Sequence, residues 1–195
     1  MKLNAPLVPD YDHQEERINY LSHGIGAALA LIGGIFLLIK GAYLSTGQWL
    51  GLWAYAISMV LLFSASMLYH MATAADRRYF YKKLDHTAIY YLIAGTYTPF
   101  LSIAIPTQKA QYLLIVLWII ALIGTLFKLV FINRFHKISL IAYLAMGWLA
   151  VLVMDNMQAY LSSQALTFLL IGGIAYTVGA LFYALKHVRY THAIW

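Results

Sequence analysis

The chain is divided by short polar segments into six long apolar runs. Each run is continuous and close to twenty residues long, whereas the strands of a membrane barrel would appear as alternating segments of about ten residues. At about 1.5 Å per residue, twenty helical residues cross a hydrocarbon core of roughly 30 Å. The pattern predicts an all-α, polytopic transmembrane helix bundle, with spans near residues 18–39, 48–70, 87–105, 111–132, 138–154 and 164–185.

The segments around these spans add local expectations. Residues 1–16 form a polar tail, residues 71–84 form a strongly basic connector, and the whole chain is expected to be one integral membrane domain, residues 1–195. Span three contains Pro99, which lacks a backbone donor and predicts a kinked helix. Span five is short and is predicted to close at Asp155-Asn156.

Composition supports a membrane environment. The chain is 63% hydrophobic and only 10% charged, with a mean hydropathy of +0.73, whereas soluble domains carry about 25% charged residues. So few charges cannot cover a surface that faces water, so lipid must be the main solvent. The chain has no cysteine, which excludes disulfides and thiolate ligands and leaves histidine and carboxylates as metal ligands.

The distribution of charge predicts the orientation. The net charge of +6 is gathered in short clusters between spans, which suits anionic lipid headgroups better than nucleic acid. Acidic residues precede the first run where a signal peptide would need positive charge, so we expect that run to be retained. Lysine and arginine are concentrated on one side of the predicted bundle, the side that includes the N-terminus, so that side is predicted to be cytoplasmic. The other side has Lys40 and Lys109. The predicted cytoplasmic side has Lys2, Arg17, Arg77, Arg78, Lys82, Lys83, Lys128, Arg134, Lys137, Lys186 and Arg189. The expected location is the inner (plasma) membrane.

With this topology, polar groups that are distant in sequence fall in one layer near the cytoplasmic face. Ser66 and His70 end span two, Asp85 begins span three, and His192 follows span six. Ionisable residues inside a membrane are costly and mark candidate functional sites. The same layer also contains Glu16, Asn19 and His23 from the start of span one.

Two imidazoles and one carboxylate are a known zinc ligand set, which leaves a fourth position for water. Ser66 lies four residues before His70, on the same helical face, where its hydroxyl could assist that water or a developing oxyanion. The alternative from spacing alone is that these histidines are interfacial or packing residues.

Four runs of residues resemble one family across almost the whole chain. The runs are Glu16-x-x-Asn19-x-x-x-His23-Gly24, Ser66-x-x-x-His70, Asp85-His86-x-x-Ile89-Tyr90-x-x-Ile93-Ala94-Gly95-Thr96-Tyr97-Thr98-Pro99 and His192-Ala193-Ile194-Trp195. Together they resemble the haemolysin III family, the bacterial branch related to the progestin and adiponectin receptors and grouped with the alkaline ceramidases in a superfamily of membrane hydrolases.

This resemblance implies seven helices, a cytoplasmic N-terminus and a zinc ion near the cytoplasmic face. It assigns the zinc ligands to His70, Asp85 and His192, with Ser66 beside them. The family motif His-x-x-x-His is not completed, because the sequence stops at Trp195, and a seventh span is expected to be missing. Ligand preorganisation and zinc occupancy should then fall, and the exposed apolar surface favours a homo-oligomer.

Three functional hypotheses follow from these expectations. The first is a zinc-dependent hydrolase that attacks the amide or ester of a membrane lipid, with Ser66 assisting catalysis. The second is a cytolysin or pore, as the family name implies, although the sequence has no amphipathic stripe that would line a pore. The third is a sensor of membrane lipid state in which zinc is structural. Sequence alone does not separate the first from the third, because both need the same ligands and cavity.

Overall fold

The computed structural model describes residues 12–184, and this part of the chain is an all-helical, polytopic bundle, as predicted. Within residues 12–184, five segments are long and apolar enough to cross a membrane: His13–Lys40, Thr46–Met71, Gln108–Phe131, His136–Tyr160 and Ser163–Phe182. The α-helices are α1 His13–Lys40, α2 Thr46–Met71, α3 Ala75–Pro99, α4 Gln108–Phe131, α5 His136–Trp148, α6 Met154–Tyr160 and α7 Ser163–Ala184.

Helix α3 begins much earlier than the sequence pattern predicted. The residues interpreted as a basic connector are helical from Ala75 onward, so only a short link separates α2 from α3. The stretch contains no proline or glycine, and alanine, arginine and lysine all favour helix. Because α3 packs against both α2 and α4, its charged first half is brought into the bundle and is not left in a loop.

The break expected at Pro99 is present in a specific form. The regular α-helix ends at Pro99, and a π-helical turn follows over Phe100–Ala104. The side chain of Thr98 accepts a hydrogen bond from Trp118 Nε1 at 3.2 Å, so α4 supports the residue just before the break. Proline cannot donate to the preceding turn, and a wider turn accommodates that loss.

The fifth predicted span is longer than the sequence pattern suggested. It does not close at Asp155-Asn156; after α5, a 3₁₀ segment, Leu149–Val153, joins it to α6. The hydroxyl of Tyr97 on α3 enters this irregular segment, donating to the Gly147 carbonyl at 2.5 Å and accepting from the Ala150 amide at 2.8 Å. Backbone groups at membrane depth need such partners, because lipid offers none.

Helix α3 also approaches its neighbours through a glycine. A Cβ atom at Gly95 would lie 2.2 Å from Ser58 Oγ and 3.2 Å from the Ala54 carbonyl oxygen of α2. Small residues at such a contact allow the two backbones to come close together. The contact at Gly95 therefore sets how closely α2 and α3 approach at this level of the bundle.

We expect Gly95→Ala to destabilise the bundle, because the added methyl group meets the backbone and side chains of α2. The matched control is Gly33→Ala, because no atom lies within 4 Å of its added Cβ and alanine favours helix by about 1 kcal/mol. Thermal unfolding in detergent should show a lower Tm for Gly95→Ala alone. Equal melting temperatures would contradict the close contact.

We expect Tyr97→Phe to cost about 1–2 kcal/mol of unfolding free energy, because the Gly147 carbonyl and Ala150 amide lose their hydroxyl partner. Tyr112→Phe is the control, since Tyr112 is exposed and bonds only Gln108 among the described residues. Thermal unfolding of both variants measures the difference. A Tyr97→Phe protein as stable as the control would show that the irregular segment finds other partners.

Candidate functional site

The candidate site is formed at one end of the bundle by the start of α1, the end of α2 and the first half of α3. On α1, Glu16, Asn19 and His23 recur at spacings of three and four residues, which place them on one helical face. Ser66 and His70 share a face of α2 for the same reason. Their side chains meet because α1, α2 and α3 pack against one another in chain order.

His70 is the centre of this arrangement. The residue is 5% exposed, and its Nδ1 lies 2.6 Å from Oε2 of Glu16. The other carboxylate oxygen of Glu16 accepts a hydrogen bond from Arg78 Nη2. One carboxylate therefore joins residues from all three helices.

Arg78 is held by more than its ion pair. Its Nη1 donates to the Ala72 carbonyl at 3.4 Å, and its guanidinium lies over the ring of Tyr69 at 5.0 Å. Burial acts to lower the pKa of Arg78, but the hydrogen bond and negative charge of Glu16 outweigh it and raise that pKa above its usual value. The guanidinium is therefore a permanent cation beside Glu16.

Asp85 completes the polar group from the α3 side. Its side chain is 15% exposed, and its Oδ2 lies 3.4 Å from His86 Nδ1. The Ser66 hydroxyl and the His70 imidazole also lie close enough to interact with this carboxylate. Three residues singled out from the sequence, Ser66, His70 and Asp85, are thus brought together.

Asn19 and His23 form the α1 wall of the site. Asn19 is fully buried, its Nδ2 lies 3.5 Å from His70 Nδ1, and its Oδ1 has no hydrogen-bond partner in the described part of the chain. His23 places Nδ1 2.7 Å from the Asn19 carbonyl oxygen, and its ring stacks on that of His70 with centroids 5.9 Å apart. An orphaned amide oxygen beside two imidazoles marks an environment suited to a polar ligand or water.

The remaining predicted ligand, His192, lies outside the described residues. Among residues 12–184, no group of three or more His, Asp and Glu side chains is placed to hold a metal ion. The described residues thus place one imidazole, one carboxylate and one hydroxyl near one another, those of His70, Asp85 and Ser66.

The sequence pattern missed the pairing of Arg78 with Glu16. The basic composition of residues 71–84 predicts a connector, in which Arg78 contributes only a positive charge to the orientation of the chain. Once α3 is extended to Ala75, Arg78 and Asp85 lie seven residues apart on one face, which is the signal that could have revealed the pairing. Lys82 lies between them, 3% exposed, with Nζ 2.9 Å from Asn133 Oδ1.

Comparisons with known proteins agree with the motifs. A family model described as "Haemolysin-III related" matches residues 11–195. The chain is 39% identical over 183 residues to "Hemolysin-3 homolog" of Bacillus subtilis (strain 168), covering 93% of this chain and 86% of that one. It is 38% identical over 183 residues to "Hemolysin-3" of Bacillus cereus, covering 93% and 84%.

A more distant relative extends the likeness beyond bacteria. The chain is 25% identical over 189 residues to "Monocyte to macrophage differentiation factor" of Homo sapiens, covering 93% of this chain and 76% of that one. The family match and the bacterial identities confirm the resemblance that the four sequence runs predicted. This multi-pass membrane protein therefore belongs to the haemolysin III family.

Proposed function

We propose that this chain is a zinc-dependent hydrolase of a lipid amide or ester, acting at the cytoplasmic side of the inner (plasma) membrane. The observation that carries the proposal is the juxtaposition of Ser66, His70 and Asp85 at one end of the bundle. Buried ionisable groups in a membrane protein usually serve a function, because lipid makes them costly to keep. The positive-inside distribution of lysine and arginine supports the cytoplasmic assignment.

The residues are chemically suited to zinc. Zinc takes imidazole nitrogen and carboxylate oxygen as ligands, and His70 and Asp85 offer one of each within electrostatic reach of each other. The proposed third ligand is His192, assigned from the family motif. The orphaned Oδ1 of Asn19 adds an acceptor for a water at the site.

When bound, zinc would lower the pKa of a water molecule to about 7 and so supply a hydroxide nucleophile at neutral pH. Asp85 would be the carboxylate ligand of that zinc, beside the imidazole of His70. The Ser66 hydroxyl would turn from Asp85 toward the substrate carbonyl and donate to the developing oxyanion. Glu16 would keep the His70 ring in place throughout.

A lipid substrate suits the position of the site. Helix α1 carries Glu16, Asn19 and His23 on its inner face, while Leu21, Ile25 and other large apolar side chains on its outer faces are exposed. In a multi-pass membrane protein those outer faces contact acyl chains. Only α1 would separate the polar site from the adjacent lipid, so a lipid carbonyl could reach it from the same leaflet.

A non-enzymatic sensor of membrane lipid state is the second candidate, because the Glu16, His70 and Arg78 network ties three helices together. Zinc would then hold α2 and α3 in register and bound lipid would shift them.

The name "Hemolysin-3" printed for the Bacillus cereus relative supports a third candidate, a cytolysin. Against it, the polar side chains of the described site are gathered at one end of the helices and do not form a stripe along them.

We expect His70→Ala to lose bound zinc and to reduce hydrolysis of labelled ceramide-like lipids by about 100-fold or more. Purified protein in lipid nanodiscs is incubated with the lipids, and product and zinc per chain are both measured. His13→Ala serves as the matched control, because His13 is exposed at the start of α1. Equal product from wild type and His70→Ala would rule out the metal mechanism.

Ser66→Ala separates catalysis from metal binding in the same assay. It should keep the zinc content of wild type and lose activity by about 100-fold, as removal of an oxyanion donor does. Ser64→Ala, two residues earlier on a different face of α2 and less buried, should behave as wild type. A Ser66→Ala protein with full activity would remove the serine from the mechanism.

The three candidates give different results when zinc is chelated. For the hydrolase, chelation should abolish lipid turnover; for the sensor, it should lower the Tm although no turnover occurs with zinc present. For the cytolysin, the protein should release dye from liposomes at low protein concentration. A chelated protein with unchanged turnover and unchanged Tm would contradict both zinc-based functions.

A further inference from the structure

We infer that Glu16 and Arg78 are positioning residues that fix the His70 imidazole with its proton on Nδ1, so that a metal ion can be bound only through Nε2. The part of this inference that concerns metal rests on the proposed function. The part that concerns the imidazole tautomer rests on the contacts among Glu16, Arg78 and His70 alone. Neither residue belongs to the ligand set implied by the family motifs.

The first step is the contact between Glu16 and His70. An ionised carboxylate has no proton to donate, so the 2.6 Å contact between Oε2 and Nδ1 requires the hydrogen on Nδ1. The His70 side chain is 2% exposed and that of Glu16 is 13% exposed, so water competes little for this bond. A short charge-assisted hydrogen bond in such surroundings is among the strongest available to a side chain.

The second step is the competing contact. Asn19 Nδ2 lies 3.5 Å from the same Nδ1 atom. If this amide donated to Nδ1, the ring hydrogen would have to be on Nε2, and Nε2 could not bind a metal. The two arrangements exclude each other, and the shorter contact to a charged acceptor favours Glu16.

The third step is what keeps Glu16 ionised and aimed. Arg78 donates to its second oxygen through Nη2, while Nη1 binds the Ala72 carbonyl and the guanidinium lies over Tyr69. These contacts use the planar fork and the flat face of arginine, which lysine lacks. Arg77, the next residue in sequence, is exposed and has no such role in the described contacts.

A purely structural role is the competing explanation, because the same contacts also join α1, α2 and α3. If these contacts only joined the helices, losing them would lower the Tm and leave the position of the hydrogen on the His70 ring unchanged. Loss of a positioning group would also redistribute the ring hydrogen. The tautomer is therefore the readout that separates the two explanations, and it does not depend on catalysis.

The experiment uses the full chain labelled with ¹⁵N-histidine in detergent micelles at mildly alkaline pH and without zinc. Long-range ¹H–¹⁵N spectra distinguish the Nδ1–H tautomer from the Nε2–H tautomer, and His70→Ala identifies the signal. We expect the wild-type ring to carry its hydrogen on Nδ1. In Glu16→Gln the population should move toward Nε2–H, because Asn19 then competes for Nδ1.

The same variants are then titrated with zinc alone against a chromophoric chelator. Glu16→Gln should weaken zinc binding by about 10–100-fold, the usual effect of removing a group that orients a ligand. Arg78→Lys is a milder variant, expected to shift the tautomer and the zinc Kd in the same direction by less. Asp76→Asn and Arg77→Lys, both at exposed positions, are matched controls that should leave both readouts unchanged.

The outcomes distinguish the inference from the proposed function. If no form of the protein binds zinc, the metal proposal fails, and the tautomer spectra still decide whether Glu16 positions His70. A wild-type ring with its hydrogen on Nε2, or on both nitrogens, overturns the inference. A lower Tm in Glu16→Gln or Arg78→Lys with an unchanged tautomer also overturns the inference. Glu16 and Arg78 would then serve only to hold α1, α2 and α3 together.

Discussion

A carboxylate close to the interior of a membrane protein must be compensated, and most of the site follows from how Glu16 meets that requirement. Its two oxygens bind different partners, His70 on α2 and Arg78 on α3. Removing either partner would leave a buried charge with much less stabilisation, which costs far more than an exposed ion pair contributes. This constraint fixes the rotation of α1, α2 and α3 about their own axes, because each helix must present one particular residue to the same point.

Apolar run length and charge spacing predicted much of the architecture, because hydrocarbon thickness limits how a helix can cross lipid. The polar layer with Ser66, His70 and Asp85 was predicted for the same reason: span ends must lie near one face or the other. The early start of α3 was not predicted, since a run of lysines and arginines has the composition of a surface loop. Helix-favouring residues together with packing against α2 and α4 make that run helical, and the packing brings Arg78 to Glu16.

Other features depend on contacts between spans and so have no signature in one span alone. The continuation of α5 through a 3₁₀ segment to Tyr160 needs the hydroxyl of Tyr97, which is about fifty residues earlier in the chain. Likewise, Glu16 and His70 share a motif pattern with the family, but their 2.6 Å contact comes from the helix arrangement. Sequence motifs predicted the residues of the candidate site, and packing determines which of the described ones touch.

The hydroxyl of Tyr97 also bears on the order in which the protein can be assembled. Helix α3 leaves the ribosome before residues 136–160, so the partner for the irregular backbone is already in the membrane when that segment arrives. A span that would be poorly accepted by lipid on its own, with the Gly147 carbonyl and Ala150 amide exposed, is completed on insertion by a helix synthesised earlier. The residue at position 97 is therefore constrained by a segment that is synthesised after it.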